Sequence, residues 1–171
     1  MSQLLALFVV AATVAACSGH SGTTGTSSGG SSMTTPSPAL PTSATGADLA
    51  FCIQETNRYR AMARVAAVAR SATIEQYAAQ AARSDGLSHT PHGYSTGNNG
   101  GNGTVFAENE VPWWPLAQFA TVQAVMQSGI ASFWNEGPTG GHYRNLTGAY
   151  SQAGCGVFIS NGEITVVQDL R

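Results

Sequence analysis

The sequence predicts an α+β domain, because helical patterns come first and a β-hairpin pattern closes the chain. Three stretches carry apolar residues at helical spacing. Near the C-terminus, two β-rich segments flank Asn161-Gly162, and Asn-Gly between such segments is a strong signal for a tight hairpin. Helices followed by an antiparallel hairpin are typical of α+β folds.

The first two helices are predicted from apolar spacing and from residues that can cap them. Asp48 can cap a helix that runs to about Met62, and Thr73 with Gln76 can form a capping box for a second helix, which Gly86 would end. The apolar positions of the first helix are Leu49, Cys52, Ile53, Thr56 and Tyr59. Those of the second are Ile74, Tyr77, Ala78 and Ala81.

Between the second and third helices, residues 87–103 form a predicted loop that is rich in Gly, Asn and Ser and holds two of the four histidines. Loops of this length are often functional or mobile. A third helix then closes at Gly137, and its spaced positions are Leu116, Phe119, Gln123, Met126, Ile130 and Phe133. The hairpin strands are expected at residues 155–160 and 163–168.

Composition excludes several classes of function. With 171 residues, the chain is long enough for one domain plus attachments. A net charge of −2 and a charged fraction of 9% exclude the basic surface of a nucleic-acid-binding protein. Every positively charged side chain is Arg, which excludes a Schiff-base lysine, a P-loop lysine and a Ser–Lys dyad.

The N-terminal region is typical of an export signal followed by a tether. Residues 4–16 form an apolar run shorter than the roughly 20 residues of a spanning helix, so we expect a signal peptide over residues 1–16. Val14-Ala15-Ala16-Cys17 resembles the lipobox of bacterial lipoproteins, in which the Cys receives a lipid. We expect lipidated Cys17, a disordered Gly/Ser/Thr/Pro tether over residues 17–46, and a folded domain over residues 47–171. Ordinary cleavage near Ala16 would instead leave Cys17 unmodified.

The remaining cysteines fit an exported protein. If Cys17 is lipidated, Cys52 and Cys155 remain as an even pair in an oxidising compartment, and we expect them to form a disulfide. Closing a loop of about 100 residues would stabilise the fold by up to roughly 4.7 kcal/mol in the chain-entropy model. The alternative is two buried free thiols.

Several short motifs occur in a characteristic order and together resemble the CAP superfamily, which includes cysteine-rich secretory, antigen-five, pathogenesis-related and bacterial SCP-like proteins. The pairing of a Gly-His-Tyr motif with a later Gly-Cys-Gly motif is the more specific part of this resemblance. The motifs are Asn57-Arg58-Tyr59-Arg60, Leu87-Ser88-His89-Thr90, Ala107-Glu108-Asn109, Phe133-Trp134-Asn135-Glu136, Gly141-His142-Tyr143 and Gly154-Cys155-Gly156.

The resemblance implies an α–β–α sandwich with a small antiparallel sheet and an open cleft lined by two His and two Glu. The residues that match the family's motifs are His89, Glu108, Glu136 and His142. His92 is an alternative to His89, because His92-Gly93-Tyr94 resembles a variant pattern of some bacterial members. Ala107-Glu108-Asn109 departs from the family's more usual Gly-Glu-Asn.

Imidazole nitrogens and carboxylate oxygens suit Zn²⁺, so a weakly bound, exchangeable zinc ion is the expected cofactor. Metals, sterols or other lipids are the ligands that the resemblance implies, and binding without turnover is favoured, with no catalytic residue assigned. Two alternatives remain open. The same residues could form a structural hydrogen-bonded network, or Glu108 or Glu136 could act as the base of a zinc-dependent hydrolase.

Val111-Pro112-Trp113-Trp114-Pro115 places two Trp residues between prolines, outside any helix interior. Trp113, Trp114 and Tyr143 are therefore candidates for ligand binding, or for a surface that binds a partner, and partly buried core is the alternative. Glu110 is expected to be a solvated charge. We expect a monomer, exported to the cell envelope or surface, that contacts the membrane through its N-terminal lipid and does not bind nucleic acid.

Overall fold

A computed structural model describes residues 41–171. The predicted signal peptide, the lipidation at Cys17 and most of the predicted tether lie outside the described residues. Within residues 41–171, no helix is both long enough and apolar enough to cross a bilayer. The mixture of helices and strands confirms the predicted α+β class.

Helix α1 (Gly46–Met62) begins one residue earlier than the predicted domain boundary. The prediction that Asp48 caps it is wrong, because Thr45 is the capping residue and Asp48 occupies the third helical position. The two form a capping box, in which the Asp48 carboxylate accepts from the Thr45 N–H at 2.8 Å.

Helix α2 (Ala72–Ser88) follows the short strand β1 (Ala69–Arg70). It begins before Thr73, so the predicted Thr73–Gln76 capping box is wrong. Gly86 does not end the helix either, since helical structure continues to Ser88. A Cβ on Gly86 would lie 2.7 Å from Cδ1 of Phe158, so this glycine lets the helix pack closely on the sheet.

The predicted loop over residues 87–103 contains two short turns of helix, α3 (Gly93–Gly97) and α4 (Asn99–Gly103). Residues of α4 have left-handed backbone angles, with φ near 60° at Gly100 and Gly101, a conformation that glycine adopts without strain. Strand β2 (Ala107–Pro115) follows, and the sequence patterns did not predict it.

Helix α5 (Val122–Asn135) is shorter than predicted, because Leu116 lies in a separate 3₁₀ turn and Thr121 caps the helix. Helix α6 (Gly141–Thr147) was not predicted. Strands β3 (Gln152–Ser160) and β4 (Glu163–Leu170) form the predicted hairpin, with left-handed Asn161 and Gly162 between them.

The four strands form one sheet in the order β1-β3-β4-β2. Strand β4 pairs antiparallel with β2 and β3, whereas β1 pairs parallel with β3. Strand β2 therefore lies at an edge of the sheet.

Helices cover both faces of the sheet, as the family resemblance implied. On the α2 face, a Cβ at Gly156 would lie 2.1 Å from the Ala78 carbonyl carbon, so helix and strand backbones are in direct contact. On the opposite face, called the α1 face, a disulfide joins Cys52 of α1 to Cys155 of β3, with their Cα atoms 6.5 Å apart. Helices α5 and α6 share this face with α1. The disulfide confirms the predicted pairing.

Candidate functional site

The candidate site lies at strand β2, where side chains from both helical layers meet. Glu108 and Glu110 are two residues apart on this strand, so both point to the same face of the sheet. Glu108 pairs with Asp169 of β4 in the antiparallel ladder. Thr165 of β4, four residues before Asp169, contacts Gly86 of α2, so these acidic side chains belong to the α2 face.

The segment after α2 brings His92 to the two glutamates. His89 and His92 both have left-handed backbone angles, with φ of 48° and 58°, and these bends turn the chain back towards β2. The backbone N–H of His92 donates to Oε2 of Glu110 at 2.7 Å. The ring Nδ1 of His92 lies 2.8 Å from Oε1 of Glu108 and 3.9 Å from Oε2 of Glu110.

Burial controls the protonation of this group. The Glu110 side chain is fully buried, and desolvation raises its pKa to about 7, although the N–H of His92 acts in the opposite direction. The hydrogen bond to Glu108 raises the pKa of His92. The expectation that Glu110 is a solvated charge is wrong, because β2 turns this side chain into the interior.

A second His–Glu pair comes from the α1 face. Nδ1 of His142 lies 2.5 Å from Oε1 of Glu136, and the His142 N–H donates to Oε2 of the same carboxylate at 3.0 Å. These hydrogen bonds hold the pKa of Glu136 below its ordinary value. Gly140 is required here, because a Cβ would lie 2.3 Å from Cβ of Glu136.

The two His–Glu pairs face each other, with the ring centroids of His92 and His142 6.1 Å apart. We call the space between them the His/Glu cleft. His89 does not take part. Its Nε2 lies 3.1 Å from Oε2 of Glu163, and its ring packs against Trp113 at 4.9 Å. The sequence did not decide between His89 and His92 as the partner of Glu108. The structure places His92 beside Glu108.

The structure also brings together a group of candidate metal ligands that the motifs did not give in full. His92, Glu108 and Glu110 each offer one ligand atom, and these atoms all lie within 4.8 Å of one another. The alternation along β2 could have revealed Glu110, since residues 108 and 110 of a strand must share a face. That signal was lost because the segment was not recognised as a strand.

Behind the cleft, amides hold α6 against β2. Nδ2 of Asn145 donates to the Glu108 carbonyl oxygen and to Oδ1 of Asn109, both at 3.0 Å. Nδ2 of Asn109 donates to the His142 carbonyl oxygen at 3.2 Å. These amides fix the backbone that carries Glu108 and His142.

The three aromatic ligand candidates have separate surroundings. Trp113, whose φ of 35° is unusual for a residue with a side chain, contacts His89. Trp114 stacks on Phe119 with centroids 5.7 Å apart, and Tyr143 packs against Trp134 at 5.0 Å. Between residues 41 and 171, no ring contact joins any two of these candidates, so they do not form one aromatic platform.

Two grooves open on the surface, one at Glu108 and one at Trp114. One, of about 430 Å³, runs beside the left-handed turn of α4 and reaches Glu108; its lining also includes Ser95, Asn99 and Phe106. The other, of about 400 Å³, is lined by Trp114, Pro115, Gln118 and Phe119.

The comparison with family models agrees with the motifs. The family model described as CAP, the cysteine-rich secretory protein family, matches residues 53–170. Among solved structures, a cysteine-rich secretory protein from Staphylococcus aureus matches at 13% identity with a TM-score of 0.48. That match covers 77% of this chain and 40% of the other. No curated protein matches the sequence.

Proposed function

Because the chain belongs to the cysteine-rich secretory protein (CAP) family, we propose that it is an exported domain that binds a divalent metal ion in the His/Glu cleft. His92, Glu108 and Glu110 are the proposed ligands. The Cys52–Cys155 disulfide fits an exported protein, because such bonds persist in oxidising compartments.

The observation that carries this proposal is the grouping of one imidazole and two carboxylates within 4.8 Å. Nitrogen and carboxylate oxygen are ordinary ligands of Zn²⁺, and three protein ligands leave a coordination position for water. Oε2 of Glu108 and Oε1 of Glu110 are buried without a hydrogen-bond partner, so a cation would satisfy atoms that are otherwise unpaired. His142 lies across the cleft and supplies a second imidazole at its rim.

The test is a calorimetric titration of Zn²⁺ into the purified full chain near neutral pH, because metal binding needs deprotonated ligands. Replacing His92→Ala should weaken zinc binding by about tenfold or more, since it removes a ligand. His89→Ala is the matched control, because His89 lies three residues away and pairs with Glu163 instead. Equal loss in both variants, or no binding by the wild type, would contradict the proposal.

A turnover assay of the metal-loaded protein tests the hydrolase alternative. In a zinc-dependent hydrolase, metal-loaded protein would turn over an ester or peptide substrate, and Glu108→Gln would abolish turnover while the fold is kept. A binding domain shows no turnover in either form. We propose binding without turnover, with zinc held weakly and exchangeably.

A small apolar ligand, such as a sterol or another lipid, is a second candidate, and the groove at Trp114 and Phe119 favours it. Quenching of tryptophan fluorescence by added cholesterol tests this role. Trp114→Ala should abolish the response and His92→Ala should keep it, whereas an unchanged response in Trp114→Ala would refute the assignment.

We also propose that the domain is anchored to the cell envelope through lipidated Cys17. Mass spectrometry of the mature N-terminus should find a diacylglyceryl-modified Cys17 as the first residue. A mature chain that begins elsewhere, or an unmodified Cys17, would overturn this part of the proposal without affecting metal binding.

A further inference from the structure

The end of β2 and the β3–β4 turn lie at the same end of the sheet. Strand β2 ends at Pro115, which pairs with Glu163 at the start of β4, directly after the turn at Asn161 and Gly162. The N–H of Leu116 donates to the Gly162 carbonyl oxygen at 2.9 Å. This bond holds the 3₁₀ turn that follows β2 against the hairpin.

Two grooves border this 3₁₀ turn, since Leu116 lines one and Gln118 lines the other. The groove at Gln118 is the one of about 400 Å³ that also contains Trp114. The groove at Leu116 has a volume of about 250 Å³, and its other walls are Pro41, Thr42 and residues 159–162 of the hairpin. We call the residues that line these two grooves the hairpin-end surface.

The hairpin-end surface is uncharged and partly aromatic. In the part of the chain that the structure describes, none of the residues lining either groove is Asp, Glu, Lys or Arg. The sequence also has no such residue from position 111 to position 135. Pro115 and Gln118 are exposed, and the stacked rings of Trp114 and Phe119 are half-buried. Aromatic rings among uncharged polar groups are typical of surfaces at a membrane–water interface.

The acid next to this surface in the β2–β4 ladder already has a partner. Glu163 pairs with Pro115, and its Oε2 lies 3.1 Å from Nε2 of His89. Since no basic side chain lines the two grooves between residues 41 and 171, attraction to anionic lipid contributes nothing here. The chemistry of the surface therefore favours contact with zwitterionic lipid, such as phosphatidylcholine.

The polypeptide enters the domain at this same surface. Pro41 and Thr42 line the smaller groove, so the chain that leads back to Cys17 leaves the domain there. A Gly/Ser-rich chain as long as residues 18–40 has a root-mean-square span of roughly 26 Å. A lipid on Cys17 would therefore keep the hairpin end of the domain close to the bilayer.

We propose that the hairpin-end surface contacts the lipid bilayer, with the rings of Trp114 and Phe119 at the membrane–water interface. This inference rests on the proposed lipidation of Cys17 and does not depend on metal binding. Because the anchor makes the contact an intramolecular event, a weak affinity of the surface for lipid is enough to orient the domain.

Such a contact would turn the His/Glu cleft away from the membrane. Glu108 pairs with Asp169 near the end of β4, whereas Trp114 pairs with Ile164 near its start. Along β2, Trp114 lies six residues after Glu108, a separation of up to roughly 20 Å in a strand. The bound domain would thus keep its cleft open to solvent.

The experiment places the full-length, lipidated chain on phosphatidylcholine vesicles with brominated acyl chains, in EDTA and without cholesterol. Flotation with the vesicles shows that the chain is anchored, and bromine then quenches the tryptophans that contact lipid. Trp114→Phe should remove at least about half of the quenching, because it removes the reporter at the interface and keeps an aromatic ring. Trp134→Phe is the control and should keep the quenching, since Trp134 packs against Tyr59 and Tyr143.

A second variant tests the contact itself. Gln118→Glu places a charge on the exposed rim and should lower the quenching by about twofold or more, because a charge is costly to remove from water. Gln152→Glu is the matched control. Gln152 is also exposed, but it begins β3 and lies at the opposite end of the sheet, so its replacement should leave the quenching unchanged.

The outcomes separate this inference from the anchor on which it rests. Flotation without quenching, or quenching that Trp114→Phe leaves intact, would overturn the membrane contact and leave the anchor in place. Equal loss in Gln118→Glu and Gln152→Glu would overturn it as well. A chain that does not float would overturn the anchor and this inference together. Zinc binding is unaffected by each result, because EDTA is present throughout.

Discussion

Gln168 and Asp169 are neighbours on β4, yet their buried side chains meet opposite surroundings on the two faces of the sheet. On the α1 face, Nε2 of Gln168 donates to Oγ1 of Thr56 at 2.6 Å, and its Oε1 accepts from Asn109 at 2.8 Å. On the α2 face, neither oxygen of Asp169 has a hydrogen-bond partner. One strand thus carries a satisfied polar group and an unsatisfied one side by side.

The same contrast extends across each face. Arg60 is buried on the α1 side, and its guanidinium donates to four carbonyl oxygens, those of Ala66, Leu146, Gly148 and Tyr150. The α2 side buries four carboxylates around a single imidazole. Fully satisfied polar networks make a structure rigid and unique, whereas unsatisfied ones mark binding sites or stored strain. We therefore interpret the α1 face as the structural support and the α2 face as the binding side.

The largest expected effect that tests this contrast is the pH dependence of stability in the presence of EDTA. The pKa of Asp169 rises from an ordinary 3.8 to about 9 on folding, and that of Glu110 rises from 4.5 to about 7. Between these limits the folded state holds more protons than the unfolded state, so stability should fall as pH rises from about 4 to 9. Each differing proton contributes a slope of up to about 1.4 kcal/mol per pH unit.

Urea unfolding of wild type and Asp169→Asn across this range checks the expectation. The variant should show a flatter profile and higher stability at pH 8, because it has no carboxyl group that must take up a proton on folding. A profile that is identical in the two proteins would mean that Asp169 is already paired, and the contrast between the faces would fail.

The second largest effect on stability is expected for the disulfide, which joins α1 to β3 on the α1 face. Replacing Cys52→Ala together with Cys155→Ala should lower the free energy of unfolding by about 2–5 kcal/mol, because the bond closes a long loop. Chemical denaturation at fixed pH measures the loss. Zinc affinity in the native state should stay the same. Loss of zinc binding in the folded variant would show that the two faces are not independent.

The sequence predicted these elements unevenly, for physical reasons. The β3–β4 hairpin was predicted because Asn161-Gly162 specifies its turn locally, and the cysteine pair followed from a simple count. Strand β2 was missed because prolines and a Trp pair interrupt its alternating pattern. The sheet accommodates these residues because β2 lies at its edge and the register shifts after Val111. Gly86 was taken as a helix end, although its actual role depends on Phe158, 72 residues away in sequence.

The candidate site was predicted from motifs rather than from local patterns. Glu108, Glu136 and His142 came from the family resemblance, which cannot distinguish His92 from His89. That choice depends on the left-handed angles at both residues and on the N–H that His92 offers to Glu110. Asp85 and Asp169 lie near Glu108 through long-range packing, which sequence spacing does not reveal.

A smaller effect on stability is expected for Arg60, whose replacement tests the α1 face directly. Arg60→Met keeps the apolar stem but leaves several buried carbonyl oxygens without donors, so stability should fall by about 2–4 kcal/mol. Arg144→Met is the control, because Arg144 is exposed, and it should change stability by less than about 0.5 kcal/mol. Thermal or urea unfolding measures both. Equal effects of the two substitutions would contradict the structural role of the Arg60 network.

The smallest effect is expected for Gln168, and its comparison with Asp169→Asn is the sharpest test because the expected signs differ. Gln168→Leu should destabilise the fold by about 1–3 kcal/mol, since it leaves Thr56 and Asn109 without their buried partner. Asp169→Asn, one residue away, should be stabilising at pH 7 in EDTA, because it removes a buried carboxyl group that must take up a proton on folding at this pH. If both substitutions destabilised the fold equally, the two faces would share one role and the division between support and binding would be wrong.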